Sequence, residues 1–154
     1  MNVHRFLHQR GVAHQVLSHE PTYSAQRMAQ AVHVCGDEVA KAVLLKADGK
    51  YLLAVLPATY YVYPELARQA LQVHSLSLAT EEECGRMFPD CEVGALPPFG
   101  SLYGLPTIID TSLTEDEQIV FEGNTHHEAI RMKFQDFRRL EQPQVASIAC
   151  HNMV

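Results

Sequence analysis

Strand-like segments outnumber helical ones in this chain and follow one another closely, and an Asp-Gly pair separates two long apolar runs. These observations predict an α+β fold with a largely antiparallel or mixed sheet. The 154 residues suit a single domain spanning 1–154, since no repeat, low-complexity tract or Ser/Gly linker marks a boundary.

Taken in order, "NVHRFLHQR" is a short amphipathic helix with Val3, Phe6 and Leu7 on one face and Gly11 at its end. "VAHQVL" reads as a strand. "SAQRMAQAV" is a helix behind the N-cap Ser24. Asp48-Gly49 tolerates the positive φ of a type I′ turn, so the flanking runs form a hairpin. "YPELARQAL" and "TEEECGRMF" are helices, the second with capping-box spacing between Thr80 and Glu83. "EVGALPPFGSLYGLP" is too rich in proline and glycine for a regular element and is expected to be an ordered loop. "TIIDTSL" and "EQIVFEG" read as two strands around an acidic turn. "IRMKF" alternates as a strand with one wet face, "QDFRRLEQ" is a short helix, and "QVASIA" is a last strand.

The hairpin raises the main chemical question. With Asp48 and Gly49 as the turn, Lys46 faces Tyr51 near the tip and Lys41 faces Leu56, roughly 20 Å or more from the tip. Lys41 shares its face with Val39, Val43, Leu45, Leu52, Ala54 and Leu56, and the opposite face is also apolar. An unpaired ammonium between two buried faces costs several kcal/mol or is driven towards neutrality. One reading has Lys41 snorkelling outward, or guarding a strand edge by pairing with Asp37 or Glu38. The other has it entering a cavity to meet a phosphate or carboxylate.

Composition narrows the classes. Apolar residues make up 47% and charged residues 19%, and the formal net charge is −6. No run of about 18 apolar residues suggests a membrane span, and the N-terminal stretch lacks the features of a secretory signal. The acidic balance argues against a DNA-binding protein or a long grip on nucleic acid, though not against a local contact. Arg131, Lys133, Arg138 and Arg139 form a basic group that is either a phosphate contact or a solvated face. The four cysteines contain no C-x-x-C pair and fit thiols in a reducing, cytoplasmic setting. His4, His8, His14 and His19 lie near one another, but no carboxylate or cysteine completes a recognisable metal site, so neither a metal nor a cofactor is expected.

"VAKAVLLKADGKYLLAVLPA", then "GALPPFG", "GLPTIIDTSL" and "EGNTHHEAIRM", resembles in order and spacing the YbaK/ProX family of aminoacyl-tRNA deacylases, related to the editing insertion domain of bacterial prolyl-tRNA synthetases. The likeness runs from about Tyr23 to Leu140. It implies a mixed, partly closed sheet surrounded by short helices. It also implies removal of a mischarged small amino acid from tRNA, in trans, by an enzyme acting alone or docked on an aminoacyl-tRNA synthetase. Contact with the tRNA acceptor end would be transient.

The resemblance makes Lys41 the signature functional residue, holding the terminal phosphate or ribose. Gly94 and Pro98 belong to the family's G-x-x-x-P-F-G loop, with Phe99 and Gly100, and backbone N–H groups around Gly94 would face the ester carbonyl. Pro98, Phe99, Gly100, Asp110 and His126 are the implied substrate-binding residues. From the residues alone, alternatives stay open. The loop could be a rigid connection, Asp110 a strand-end cap, and His126 part of a helical turn started by Thr125 with Glu128. The chain has no G-x-S-x-G and no H-E-x-x-H signature, which fits hydrolysis by positioning. The rivals are an inactive binding module for a nucleotide-like ligand or a protein, and a metal-dependent hydrolase using histidines.

Overall fold

The computed structural model describes residues 2–151. Helix α1, Val3–Gln9, starts where the Asn2 side chain accepts from the N–H groups of His4 and Arg5, and Gly11 follows it at φ +67°. Strand β1 is His14–Ser18. Helix α2, Ala25–Ala31, is capped by Ser24, whose hydroxyl accepts from Arg27 N–H. Strands β2, Ala40–Ala47, and β3, Lys50–Pro57, form the hairpin. Asp48 and Gly49 turn it at φ +48° and +82°, as a type I′ turn requires.

Beyond the hairpin come β4 (Tyr61–Val62), α3 (Pro64–Leu71), β5 (Leu76–Leu78) and α4 (Glu81–Met87). The Thr80–Glu83 capping box is formed in both directions. After the long loop come β6 (Thr107–Asp110), β7 (Gln118–Glu122), β8 (Glu128–Lys133), α5 (Phe134–Glu141), β9 (Gln144–Ala146) and β10 (Ala149–Cys150).

The strands assemble as a mixed sheet in the order β5-β2-β3-β6-β9, an antiparallel sheet β1-β8-β7, and the pair β10-β4. The pairs β2–β3 and β2–β5 are antiparallel, whereas β3–β6 and β6–β9 are parallel. A bridge from Val39 to Val120 ties the larger sheets together. This is the expected α+β class.

Three local expectations are corrected, and two short strands are added. "TIIDTSL" and "EQIVFEG" do not pair: β6 and β7 enter different sheets, and Thr111–Glu115 between them is a 3-10 helix. All four residues of β6 are buried, as expected for a strand between two parallel neighbours rather than in a hairpin. Residues 125–127 form the turn between β7 and β8 and no helix, with Asn124 at φ +73°. Strands β4 and β5, of two and three residues, carry no legible alternation. The face of β2 that carries Lys41 is also only partly covered: Lys41 and Val43 stay half-buried, although Leu45 is buried.

The largest core cluster packs α1, the long loop and α5 onto β7 and β8. Phe99 lies at its centre, with ring centroids 5.7, 5.8 and 5.1 Å from Phe6, Phe121 and Phe137. At the end of β6, the buried Asp110 carboxylate accepts from the N–H groups of Ile148 (2.9 Å) and Ala149 (3.0 Å) and from the N–H and hydroxyl of Ser112 (3.1 and 2.5 Å). It thereby fixes the segment leading into β10.

This bonding predicts a stability role for Asp110. Asp110→Ala leaves the buried Ile148 N–H without its acceptor, at a cost of about 1–3 kcal/mol, and also removes charge-assisted bonds. Urea unfolding should show the Ala variant destabilised by at least that much and Asp110→Asn by less. An unchanged midpoint for Asp110→Ala would contradict the role.

Candidate active site

A cavity of about 430 Å³ opens between β2, the N-terminal end of α2, the long loop and the end of β7. That volume lies within the range of small-ligand sites. Its walls include Lys41, Gly94, Leu96 and Glu122, together with Ser24 and Gln26.

Lys41 reaches this cavity because the hairpin register sets it opposite Leu56. Its ammonium donates to the carbonyl of Ala58 (3.3 Å) and lies 4.9 Å from the centre of the Tyr61 ring. Among the described residues it forms no ion pair. Asp37, one of the partners expected for an edge guard, instead accepts from the Thr59 hydroxyl at 2.5 Å. Burial alone lowers the Lys41 pKa from its ordinary value. Lys41 also borders a second, apolar groove of about 430 Å³, with Tyr61 and Leu78 in its wall.

Gly94 sits at φ +83°, a conformation that L side chains rarely adopt. Among the described residues its N–H has no hydrogen-bond partner, whereas the next N–H, of Ala95, is bonded to Glu92 O. The loop is clamped to the β7–β8 turn. Glu92 N–H donates to Asn124 O (2.8 Å), and His126 Nε2 meets Val93 O (2.5 Å). The His126 ring is buried, lies 5.0 Å from the Tyr23 ring, and stands directly behind Gly94.

The expected site residues therefore separate into groups. Lys41 and Gly94 line one cavity, and His126 stands behind Gly94. Pro98, Phe99 and Gly100 are buried below, holding the loop. A Cβ on Gly100 would lie 2.5 Å from Thr107 Oγ1 and 2.8 Å from Leu105 O, so packing demands the glycine. Its N–H donates to Thr107 Oγ1, which in turn donates to Glu141. Asp110 is occupied by backbone donors and does not line the cavity.

Two further features lie elsewhere. The basic residues of β8 and α5 line no part of this cavity. Arg139 pairs with Asp136, and Lys133 borders a depression lined by Glu115, Asp116 and Glu117. Among the described residues no three His, Cys, Asp or Glu side chains converge to hold a metal ion. His4 and His14 simply face one another at 2.8 Å. Burial pushes the Cys91 thiol up to about 11 and raises Cys84, which disfavours a thiolate nucleophile.

Glu122 was missed by sequence reasoning. It closes the apolar run "QIVFE", and a carboxyl ending a buried strand was the available signal. It is 6% exposed, and burial, followed by the nearby Glu92, pushes it up to about 8.

This fold and cavity define an α+β domain with a cavity of small-ligand size between its sheets. The structure is similar to a solved protein described only as hypothetical (17% identity, TM-score 0.87, covering 96% of this chain and 99% of that one). It is also similar to one provisionally described as a trans-editing enzyme for prolyl-tRNA synthetase (23%, 0.84, 95% and 93%). A third, provisionally described as a signal transduction protein from Marinobacter aquaeolei VT8, is 21% identical with a TM-score of 0.75 over 96% of this chain but 30% of that one. At these identities the likeness shows the fold alone. No curated protein sequence matches the chain. The model of the aminoacyl-tRNA editing domain matches residues 19–140, and the chain belongs to that family. No helix among the described residues is long and apolar enough to cross a membrane.

The state of Glu122 fixes a pH dependence. Its native pKa lies above the unfolded value, so between about pH 4.5 and 8 the folded state binds more protons, and stability falls as pH rises. Asp116, raised to about 6, acts in the same direction only over the lower part of that window. Urea unfolding of wild type and Glu122→Gln from pH 6 to 8 should show the variant losing less stability. Parallel curves would exclude a protonated Glu122.

Proposed function

We propose that this chain is an aminoacyl-tRNA deacylase that acts in trans, hydrolysing the ester between a mischarged small amino acid and the terminal ribose of tRNA. The observation that carries the reading is the meeting of Lys41 and Gly94 at one cavity, in a chain of the aminoacyl-tRNA editing family.

Hydrolysis of such an ester needs a water, stabilisation of the developing oxyanion and a firm hold on the nucleotide. In this reading the Lys41 ammonium binds the terminal phosphate or ribose, gaining there the anionic partner that it lacks among the described residues. The free N–H at Gly94 is directed to the ester carbonyl and stabilises the tetrahedral oxyanion. His126 holds that N–H in place through Val93 and supports the amino-acid end of the cavity. Pro98, Phe99 and Gly100 act by anchoring the loop, and Asp110 by anchoring the sheet. Water attacks the positioned carbonyl, the ester C–O bond breaks, and the ribose oxygen leaves with a proton. No thiolate is required, in keeping with the raised Cys91.

A binding module on the same fold is the rival, favoured by the fact that a half-buried lysine near an aromatic ring can hold a nucleotide without hydrolysing it.

Release of amino acid from a panel of charged tRNAs separates the two readings. Lys41→Met keeps most of the stem and removes the charge. It should fold like wild type and lose about 10²–10³ in rate, the size of one lost transition-state donor. Lys41→Arg presents a wide planar fork and should recover little. Wild-type rates in folded Lys41→Met, or no hydrolysis of any charged tRNA by wild type, would remove the deacylase reading.

A further inference from the structure

The scheme above gives Glu122 no task, yet its surroundings are unusual. It lines the same cavity as Lys41 and Gly94 while remaining 6% exposed. Its Oε1 lies 3.8 Å from His126 Nδ1, beyond hydrogen-bond distance. Its Oε2 and His126 Nδ1 are both enclosed, and among the described residues neither has a hydrogen-bond partner. Buried carboxyl oxygens normally have donors, and each orphan destabilises the fold. Asp110 shows how this same fold satisfies a structural carboxylate, with four donors on its two oxygens. Glu122 is left without any, at the wall of a ligand cavity.

We propose that Glu122 receives the α-amino group of the aminoacyl moiety. The inference rests on the reading that the ligand is an aminoacyl ester. Every such ester carries an amine on the carbon next to the carbonyl. A carbonyl held at Gly94, with its ribose towards Lys41, leaves that amine to be accommodated within the cavity. Glu122 is a cavity-lining carboxyl with an acceptor oxygen to spare, and an ammonium–carboxylate contact is a charge-assisted bond. The titratable groups around Glu122 are His126 on the β7–β8 turn, Glu92 on the loop, and Lys41 across the cavity on β2. In the empty site burial keeps Glu122 protonated, which avoids an isolated buried anion. A neutral amine takes that proton directly, whereas an ammonium sends it to water. Either route ends in the same ion pair, and only a proton moves, from the Glu122 carboxyl to the amine or to water.

The test uses stable amide analogues, 3′-aminoacylamido-adenosines with small side chains, each beside a counterpart lacking the amino group. Wild type should bind the amine-bearing analogues about 10- to 100-fold more tightly, the size of one charge-assisted bond. Glu122→Gln should bind both members of a pair alike. On aminoacyl-tRNA the variant should raise KM by a similar factor with a smaller change in kcat. N-acetylated aminoacyl-tRNA should be treated alike by the two proteins. Titration of wild type in buffers of different ionisation enthalpy gives a readout that needs no variant: at pH 7 the amine analogue should release a proton on binding and its counterpart should not. Equal binding of both analogues by wild type overturns the proposal. So does a Glu122→Gln that keeps the preference for the amine, or one that loses kcat equally on free and N-acetylated substrates. If hydrolysis is intact while the amine makes no difference, only the Glu122 assignment falls. If wild type neither binds the analogues nor hydrolyses charged tRNA, the deacylase reading falls with it.

Discussion

The depth of Lys41 depends on the register of one hairpin. Asp48 and Gly49 both hold positive φ, and that two-residue turn sets Lys41 against Leu56 and Lys46 against Tyr51. Because side chains alternate with period two, a slip of one residue would send Lys41 to the opposite face. The turn is held from outside as well. The Asp48 carboxylate accepts from the N–H groups of His74 and Ser75 and from the Ser75 hydroxyl, which ties the hairpin to the segment leading into β5. A hydrogen-bonded carboxylate far from the cavity thus helps determine which cation enters it.

The opposite wall depends on a different device. The loop of residues 92–94 has no regular structure, so its position comes from the turn between β7 and β8. Asn124 accepts from Glu92 through its carbonyl and from Val3 through its side chain, while its amide reaches Cys91 and Tyr103. His126 adds the contact with Val93. One tight turn therefore fastens α1, the loop and the end of β7 together. Below, Phe99 inserts into the aromatic core and Gly100 packs against Thr107. The loop is fixed at both ends, and its free Gly94 N–H lies between the fixed points.

What was legible in the sequence follows from the range of each interaction. The hairpin, its register, the Ser24 cap and the Thr80 capping box are set by residues within a few positions of one another, and the chain states them directly. The separation of β6 from β7 was not legible, because parallel pairing joins segments about fifty residues apart, such as Leu53 with Thr107. Asp110 illustrates the limit within the site: an acid after an apolar strand reads equally as a ligand or a cap, and only its four distant or local donors decide. Glu122 follows an almost identical pattern in sequence and ends with none. The residue types are alike, and tertiary contacts alone distinguish a structural carboxylate from an orphaned one.

That contrast gives the cavity a common electrostatic logic. Burial lowers the pKa of Lys41 and raises that of Glu122, so each is pushed towards its neutral form while the site is empty. Among the described residues neither has a full charge partner. A ligand bearing an anion near one and a cation near the other would restore both charges at once, recovering on binding what folding left unsatisfied. Replacing the pair by apolar residues should make a more stable protein, because buried polar groups without partners oppose folding. Their presence at one cavity therefore fits the proposed aminoacyl ligand better than it fits the needs of the fold.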